Sequence, residues 1–319
     1  MINIKKLLKK IPFVKSIVAR RGDNMVQHLK KEGSLLEDAN LQTRQGMIAH
    51  LKKGESLLEN ADQKTGDHWK PRIALVQESS DNGKINYVSN AGTFNEDDNL
   101  VMHNGLLIAP LSYYNFPMLE LLTLNKGVHE PQEEYVFQDV LKHIPDGAVM
   151  LELGSYWSFY SMWFNSVVEG ASNFLIEPED INSGISNFEL NQMKGNFTKA
   201  YISDTSSDTI NGTPTVCVDD FIDEKDINFL DILHSDIQGY EYKMLMGAEK
   251  LLNSKQVGYI FISTHSNEIH YQCMEHLKLK GYILVCSYDM DESYSWDGLI
   301  VFKNPDYNGL DAIDVSKRK

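Results

Sequence analysis

Four residues, each placed where an apolar run gives way to a turn, could bind or transform a nucleoside-bearing ligand: Gly154, Glu177, Asp236 and His265. Gly154 follows the run "MLEL" and is the single glycine of the turn "GSYWS". Tyr156 and Ser158 stand where further glycines often serve such turns. A glycine there lets backbone N–H groups approach a ligand, and the helix that follows supplies positive potential. Glu177 closes the next apolar run 23 residues later, a place from which a carboxylate accepts hydrogen bonds from ribose hydroxyls. Asp236 ends "FLDILHSD", with His234 two residues before it and Gly239 and Glu241 opening a helix after it. His265 follows "VGYIFIST" and reads as a general base or a metal ligand. His270, five residues on, falls on a helix and off that face. Each feature alone also admits a plain structural role: a core strand entering a core helix, or an acid capping a helix.

These residues need a scaffold that brings strand ends together. From Glu130 the chain alternates helix and strand: "PQEEYVFQDVLKHI", then "AVMLEL", "NFLIE", "NFTKAYIS", "FLDILHSD" and "VGYIFIS", mostly with helical stretches between. That rhythm predicts βαβ units and a parallel sheet covered on both faces. The ending differs: "GYILVCS" and "GLIVFK" are joined by "YDMDESYSWD", which lacks helical periodicity and suits an antiparallel hairpin. The expectation is an α/β fold, mostly parallel, closed by that hairpin.

Upstream, no chemical motif emerges. "HLKKEGSLLEDAN" at His28 and "HLKKGESLLENAD" at His50 form a near-repeat that reads as a helical pair. Two copies are too few for a solenoid. From Arg72 to Tyr114 the runs become strand-like, and Asn104-Gly105 between apolar stretches signals a hairpin. The division expected is a helical and hairpin-bearing region over residues 1–125 and a second domain over 126–319.

The chain of 319 residues is 42% hydrophobic and 24% charged, as soluble globular proteins are. Its net charge of −15 argues against nucleic acid as a partner. Residues 1–21 hold seven Lys/Arg and no acid, leaving −15 − 7 = −22 for the rest. Ile4, Leu7, Leu8 and Ile11 share a face there, and Lys5, Lys6, Lys9 and Lys10 lie largely off it. Such a segment either lies on an anionic membrane surface or docks on the acidic remainder. No membrane span and no signal peptide is read. Three widely spaced cysteines form neither a disulfide framework nor a zinc pattern, which places the protein in a reducing, cytoplasmic compartment. With the basic segment engaged, it would sit peripherally at the inner membrane face.

On these residues the chain resembles the FkbM-type S-adenosylmethionine-dependent methyltransferases from about 130 to 305. The resemblance rests on "MLELGS", "IEP" at Ile176 to Pro178, Asn191, "AYISD", "VDDFI" and "SDIQGYE…MLMGAEKLL". Gln238 stands where that family typically has a glutamate. The resemblance implies a class I methyltransferase-like Rossmann sheet. It implies that Glu152, Gly154 and Ser155 lie by the methionine and ribose of S-adenosyl-L-methionine, with Glu177 on the ribose hydroxyls. Ser203 and Asp204 would approach the adenine, and Asp236 the transferring methyl. It further implies O-methylation of a sugar in a glycan or glycosylated metabolite.

For that chemistry His265 would be the base assisted by Asp236, with His234 the next candidate; alternatively Asp236 and His265 would hold a divalent metal. Two rivals stand beside it. A nicotinamide-dependent dehydrogenase fits Glu177 but not the single turn glycine and antiparallel ending. A non-catalytic nucleoside-binding scaffold on the same fold is the other.

Overall fold

The computed structural model describes residues 40–318; residues 1–39, which include the basic segment and nearly all of the first repeat copy, lie outside that range. The second copy is helical only in part. Helix α1 (Arg44–Lys52) is capped by Thr43 and stops before Gly54, and Leu57-Leu58 lie buried in a short 3₁₀ turn. Helix α2 (Gln63–Glu78) starts at the Asp62 cap and carries Pro71 inside it. The strand-like reading of residues 72–78 therefore fails, because their apolar residues Ile73 and Val76 face the core at helical spacing. The Asn104-Gly105 hairpin is present, as strands β1 (Leu100–Val101) and β2 (Leu107–Ile108). Helices α3 (Phe116–Leu124) and α4 (Pro131–Leu141) follow, each with proline in its first turn.

The α/β part is a seven-stranded sheet. Strands β3 (Val149–Leu153), β4 (Ser172–Ile176), β5 (Asn196–Thr198), β9 (Leu230–Ser235), β10 (Val257–Thr264), β11 (Ile283–Tyr288) and β12 (Gly298–Lys303) lie in the order β11-β12-β10-β9-β3-β4-β5. All pairings are parallel except those of β12, which runs antiparallel to both neighbours. The sheet has a switch point between β3 and β9, where the chain turns from building one edge to building the other. Helices α5 (Phe159–Val167), α6 (Ile181–Leu190), α7 (Val218–Glu224), α8 (Glu241–Met246), α9 (Glu249–Asn253) and α10 (Asn267–Leu279) make the crossovers. The expected strand "NFTKAYIS" is two pieces. Its second half, β6 (Tyr201–Ile202), leaves the main sheet for a small one with β7 (Thr209–Ile210) and β8 (Thr213–Val216).

Strand side chains alternate between two cores. Met150, Ile232 and Phe261 face one cluster, and their neighbours Leu151, Leu233 and Ile260 the other. Because both faces are covered, the strands read as continuous apolar runs. Each fully buried Leu, Ile or Phe contributes roughly 1.5–3 kcal/mol. The first cluster also takes Leu51, Trp69, Leu100 and Leu122 from the N-terminal part. Asn191, at the end of α6, clamps the hairpin to the sheet domain: its Oδ1 accepts from Leu107 N at 2.9 Å and its Nδ2 donates to Leu107 O at 2.7 Å.

The register aligns the strand ends. Leu153 of β3 lies beside Ile176 of β4 and Ser235 of β9, and β10 pairs with β9 as far as Ile262 before running on to Thr264. The next residues in the chain, Gly154, Glu177, Asp236 and His265, therefore emerge along one rim. Thr264 also pairs with Gly298, so the residue before β12, Asp297, arrives beside His265.

Candidate functional site

The turn after β3 is built around Gly154. Its φ is +75°, and a Cβ there would stand 1.8 Å from the carbonyl oxygen of Asp236. Gly154 N and Ser155 N both donate to Ile176 O, at 2.8 and 3.1 Å. Tyr156 (φ +36°) and Ser158 (φ +64°) adopt the left-handed backbone that glycine would take without strain. Each such residue costs roughly 1–2 kcal/mol, so neighbours must hold the turn. Glu177 Oε2 accepts from Tyr156 N at 3.3 Å, Tyr156 OH accepts from Tyr114 N at 3.0 Å, and Asn187 Nδ2 donates to Trp157 O at 3.0 Å. Gly184 supplies the clearance: a Cβ on it would meet Ser158 Oγ at 2.2 Å. Strain concentrated in one turn above a sheet marks a place kept for a ligand.

A cavity of about 330 Å³ opens over this turn, within the range of small-molecule sites. Glu152, Gly154, Ser155, Glu177, His234 and Asp236 line it. Ser203 and Asp204 do not; the wall there is Ala200, Tyr201 and Ile202, with Ile210 and Asn211 facing them. Ser203 Oγ instead donates to Asp204 Oδ1 at 3.0 Å. His265 also stands outside the lining, behind Asp236.

The cavity thus sits at the carboxyl ends of β3, β4 and β9, at the switch point of a sheet in the order found above. Residues 139–290 match the methyltransferase FkbM domain. Over that stretch the chain is similar to FkbM methyltransferase domains. The sheet with its antiparallel β12 is the class I methyltransferase-like arrangement that the sequence resemblance predicts. Among solved structures, the precorrin-6y C5,15-methyltransferase of Geobacter metallireducens is 11% identical, with a TM-score of 0.37 over 53% of this chain and 87% of its own. TrmK of M. capricolum, in complex with S-adenosylhomocysteine, is 12% identical, with a TM-score of 0.37 over 54% and 69%. The METTL16 methyltransferase domain is 13% identical, with a TM-score of 0.43 over 74% and 92%. No curated protein matches the chain by sequence.

The cavity is walled partly by residues upstream of the matched stretch: Tyr113, Tyr114, His129 and Glu130. Sequence reading missed all four. A signal existed in "HEPQEE", where a histidine and three acids crowd a helix start, but the chemistry of such a start is usually capping. Here the acids are buried and must be paired. His129 spans two of them, with Nε2 3.2 Å from Glu130 Oε2 and Nδ1 2.6 Å from Glu134 Oε1. Burial alone would lower the pKa of His129, but the two carboxylates outweigh it and push it up to about 10. Tyr160 OH donates to Glu130 Oε2 at 3.0 Å, and His103 Nε2 lies 2.9 Å from Glu134 Oε2.

His234 Nε2 lies 2.8 Å from Glu133 Oε1, and Ser263 Oγ donates to Glu133 Oε2 at 2.9 Å. Burial raises the Glu133 pKa; burial would lower that of His234, but the Glu133 carboxylate outweighs it and raises it. His234 Nδ1 and Ser155 Oγ, both buried in the cavity wall, have no hydrogen-bond partner. Glu152, beside His234 in register, accepts from Ser161 N at 3.1 Å and is raised by burial to about 7.

His265 is clamped between three acids. Its Nδ1 lies 2.6 Å from Glu241 Oε1, and its Nε2 lies 3.2 Å from both Asp236 Oδ1 and Asp297 Oδ1. Burial works against the charge, yet Asp297, Glu241 and Asp236 together raise its pKa well above 6.5. A pKa raised in this direction favours the imidazolium form, which has no lone pair with which to accept a proton. Asp236 is the counterpart: burial would raise it, but His265 holds it below the ordinary carboxylate range. Asp297, pushed to about 7 by burial, was unremarked in "SYSWDG" because its nearness to His265 depends on the β10–β12 register.

Among the described residues no group of three or more His, Cys, Asp and Glu side chains is placed to hold a metal ion. The three cysteines are buried and free, and no described helix is long and apolar enough to cross a membrane.

Proposed function

We propose that the FkbM domain transfers a methyl group from S-adenosyl-L-methionine to a hydroxyl oxygen of a sugar, with Asp236 at the reacting end. The observation that carries this reading is the placement of Gly154, Glu177 and Asp236 around one cavity above the switch point. The residues present fit the donor. Ser155 Oγ and His234 Nδ1 are buried polar atoms in want of partners. Gly154 keeps backbone where a side chain would otherwise fill the turn. Glu177 is fixed by the amides of Tyr156, Glu179 and Asp180, at 3.3, 2.7 and 3.0 Å. In that pose it presents a preorganised acceptor to ribose hydroxyls.

When bound, S-adenosyl-L-methionine supplies a methyl group activated on a cationic sulfur. The chain's task is to align the acceptor oxygen with that methyl and to take the hydroxyl proton. Asp236 is a carboxylate on the cavity wall, oriented by His265 and by Gln238 Nε2 at 3.1 Å. His265 holds Asp236 in place as a fixed cation and stabilises its ionised form. The aromatic walls, Tyr113, Tyr114, Tyr156 and Trp157, suit the apolar faces of a sugar ring. A screen of glycans with isotope-labelled donor, read by mass, tests the reading; labelled oxygen-methyl product supports it, and label on nitrogen or carbon alone refutes the oxygen assignment.

We further propose, from the charge pattern alone, that residues 1–21 bring the enzyme to an anionic membrane surface, where a lipid-linked or membrane-proximal glycan would be met.

A further inference from the structure

The charge of the cavity wall narrows the acceptor. Five carboxylates line it, Glu130, Glu152, Glu177, Glu179 and Asp236, with no lysine or arginine among the described lining residues. Glu152 accepts from the Ser161 amide in α5, and Glu177 from the Tyr156 amide of the turn. Glu130 and Asp236 line the same cavity as Tyr113 and Tyr114.

Nearby cations do not cancel them. His129 is spent between Glu130 and Glu134, and His265 between Glu241, Asp236 and Asp297. Arg72 lies behind the wall, its guanidinium 3.3 Å from the Trp296 ring centroid, and does not line the cavity. Five acids (Glu130, Glu134, Asp236, Glu241 and Asp297) therefore face three cations (Arg72, His129 and His265). With Asp297 protonated the acids still lead. A phosphate entering this space would meet carboxylates in a low-dielectric wall, and like charges there repel strongly. A cation would meet carboxylates and the faces of Tyr113 and Tyr114. The partnerless His234 Nδ1 and Ser155 Oγ in the same wall show that the space is shaped for a polar ligand.

We propose that the acceptor is anchored by an ammonium group held at Glu130 and Asp236 beside Tyr113 and Tyr114, making it an amine-bearing sugar and not a sugar phosphate or nucleotide sugar. This rests on the methyl-transfer reading above. Calorimetry on the full chain tests it with sinefungin, which carries an ammonium group at the reacting position, against S-adenosylhomocysteine, which carries an uncharged thioether there. Glucosamine, glucose and glucose 6-phosphate are then titrated into protein saturated with S-adenosylhomocysteine. Sinefungin should bind at least tenfold tighter than S-adenosylhomocysteine, and Glu130→Gln should lower that ratio at least fivefold. Glucosamine should bind tighter than glucose, and glucose 6-phosphate weaker. A sinefungin ratio near one, a ratio unchanged in Glu130→Gln, or glucose 6-phosphate binding as well as glucosamine overturns the proposal. Glucosamine that binds no tighter than glucose likewise overturns it. Absence of S-adenosylhomocysteine binding is a separate readout, and it brings down the methyl-transfer reading itself.

Discussion

The backbone of Gly154 passes so close to Asp236 that a β-carbon on the glycine would stand 1.8 Å from the aspartate's carbonyl oxygen. The turn at Gly154 and the proposed reacting end are thus one packed unit, not two neighbouring loops. Gly154→Ala must both push Asp236 aside and hold φ at +75°. The strain and the overpacking together should cost at least about 2 kcal/mol. Urea denaturation checks this, and a variant as stable as the parent would show that the turn is looser than described.

Asp236 and His265 should separate by role. Asp236→Asn removes the proton acceptor and should slow methyl transfer about 10²–10⁴-fold. His265→Asn leaves the carboxylate but removes the cation that holds its pKa down. The acid limb of the pH–rate profile should therefore move to higher pH. A profile unmoved in His265→Asn would mean that the imidazolium does not act through Asp236. EDTA should leave turnover unchanged under this account; loss restored by a divalent ion would favour the alternative in which Asp236 and His265 ligate a metal.

Much of this was legible in the chain. The order of helices and strands, the antiparallel ending and the rim of Gly154, Glu177 and Asp236 follow from apolar runs that end in chemically distinctive residues. Tyr156 and Ser158 were visible as residues in glycine's place, and they carry the positive φ that the place demands. What was not legible is contributed by tertiary register and packing. Asp297 meets His265 only because Gly298 pairs with Thr264. Glu130 and His129 join the wall because α4 is packed under the sheet, and no local pattern reports that. The break of "NFTKAYIS" into β5 and β6 moved Ser203 and Asp204 off the cavity, a two-residue matter beyond periodicity.

Stability should depend on pH through His129. In the fold it keeps its proton to about pH 10, whereas a free imidazole releases it near 6.5. Between those values the folded state binds a proton that the unfolded chain has lost, so stability falls as pH rises. Asp297 and Glu152, each raised to about 7, give the same sign from about pH 4 to 7. The thermal midpoint should fall from pH 6.5 to 9.5, and His129→Gln should flatten that slope. A midpoint that holds or rises over this range contradicts the buried imidazolium.

Residues 1–21 make a simple prediction at a membrane. Their seven positive charges should give binding to anionic vesicles that weakens with salt, because exposed charges are screened. Sedimentation of the full chain and of a chain beginning at Gly22 reads this out. Equal binding by both would remove the anchor.

The most direct measurement is calorimetric titration of S-adenosyl-L-methionine into the full chain and into Glu177→Ala, with NAD as the control. The account predicts one donor site per chain, no heat with NAD, and affinity lowered about 5- to 150-fold in the variant, the equivalent of about 1–3 kcal/mol for hydrogen bonds to a charged group. Binding of NAD in place of the donor, or an unchanged donor affinity in folded Glu177→Ala, would contradict it.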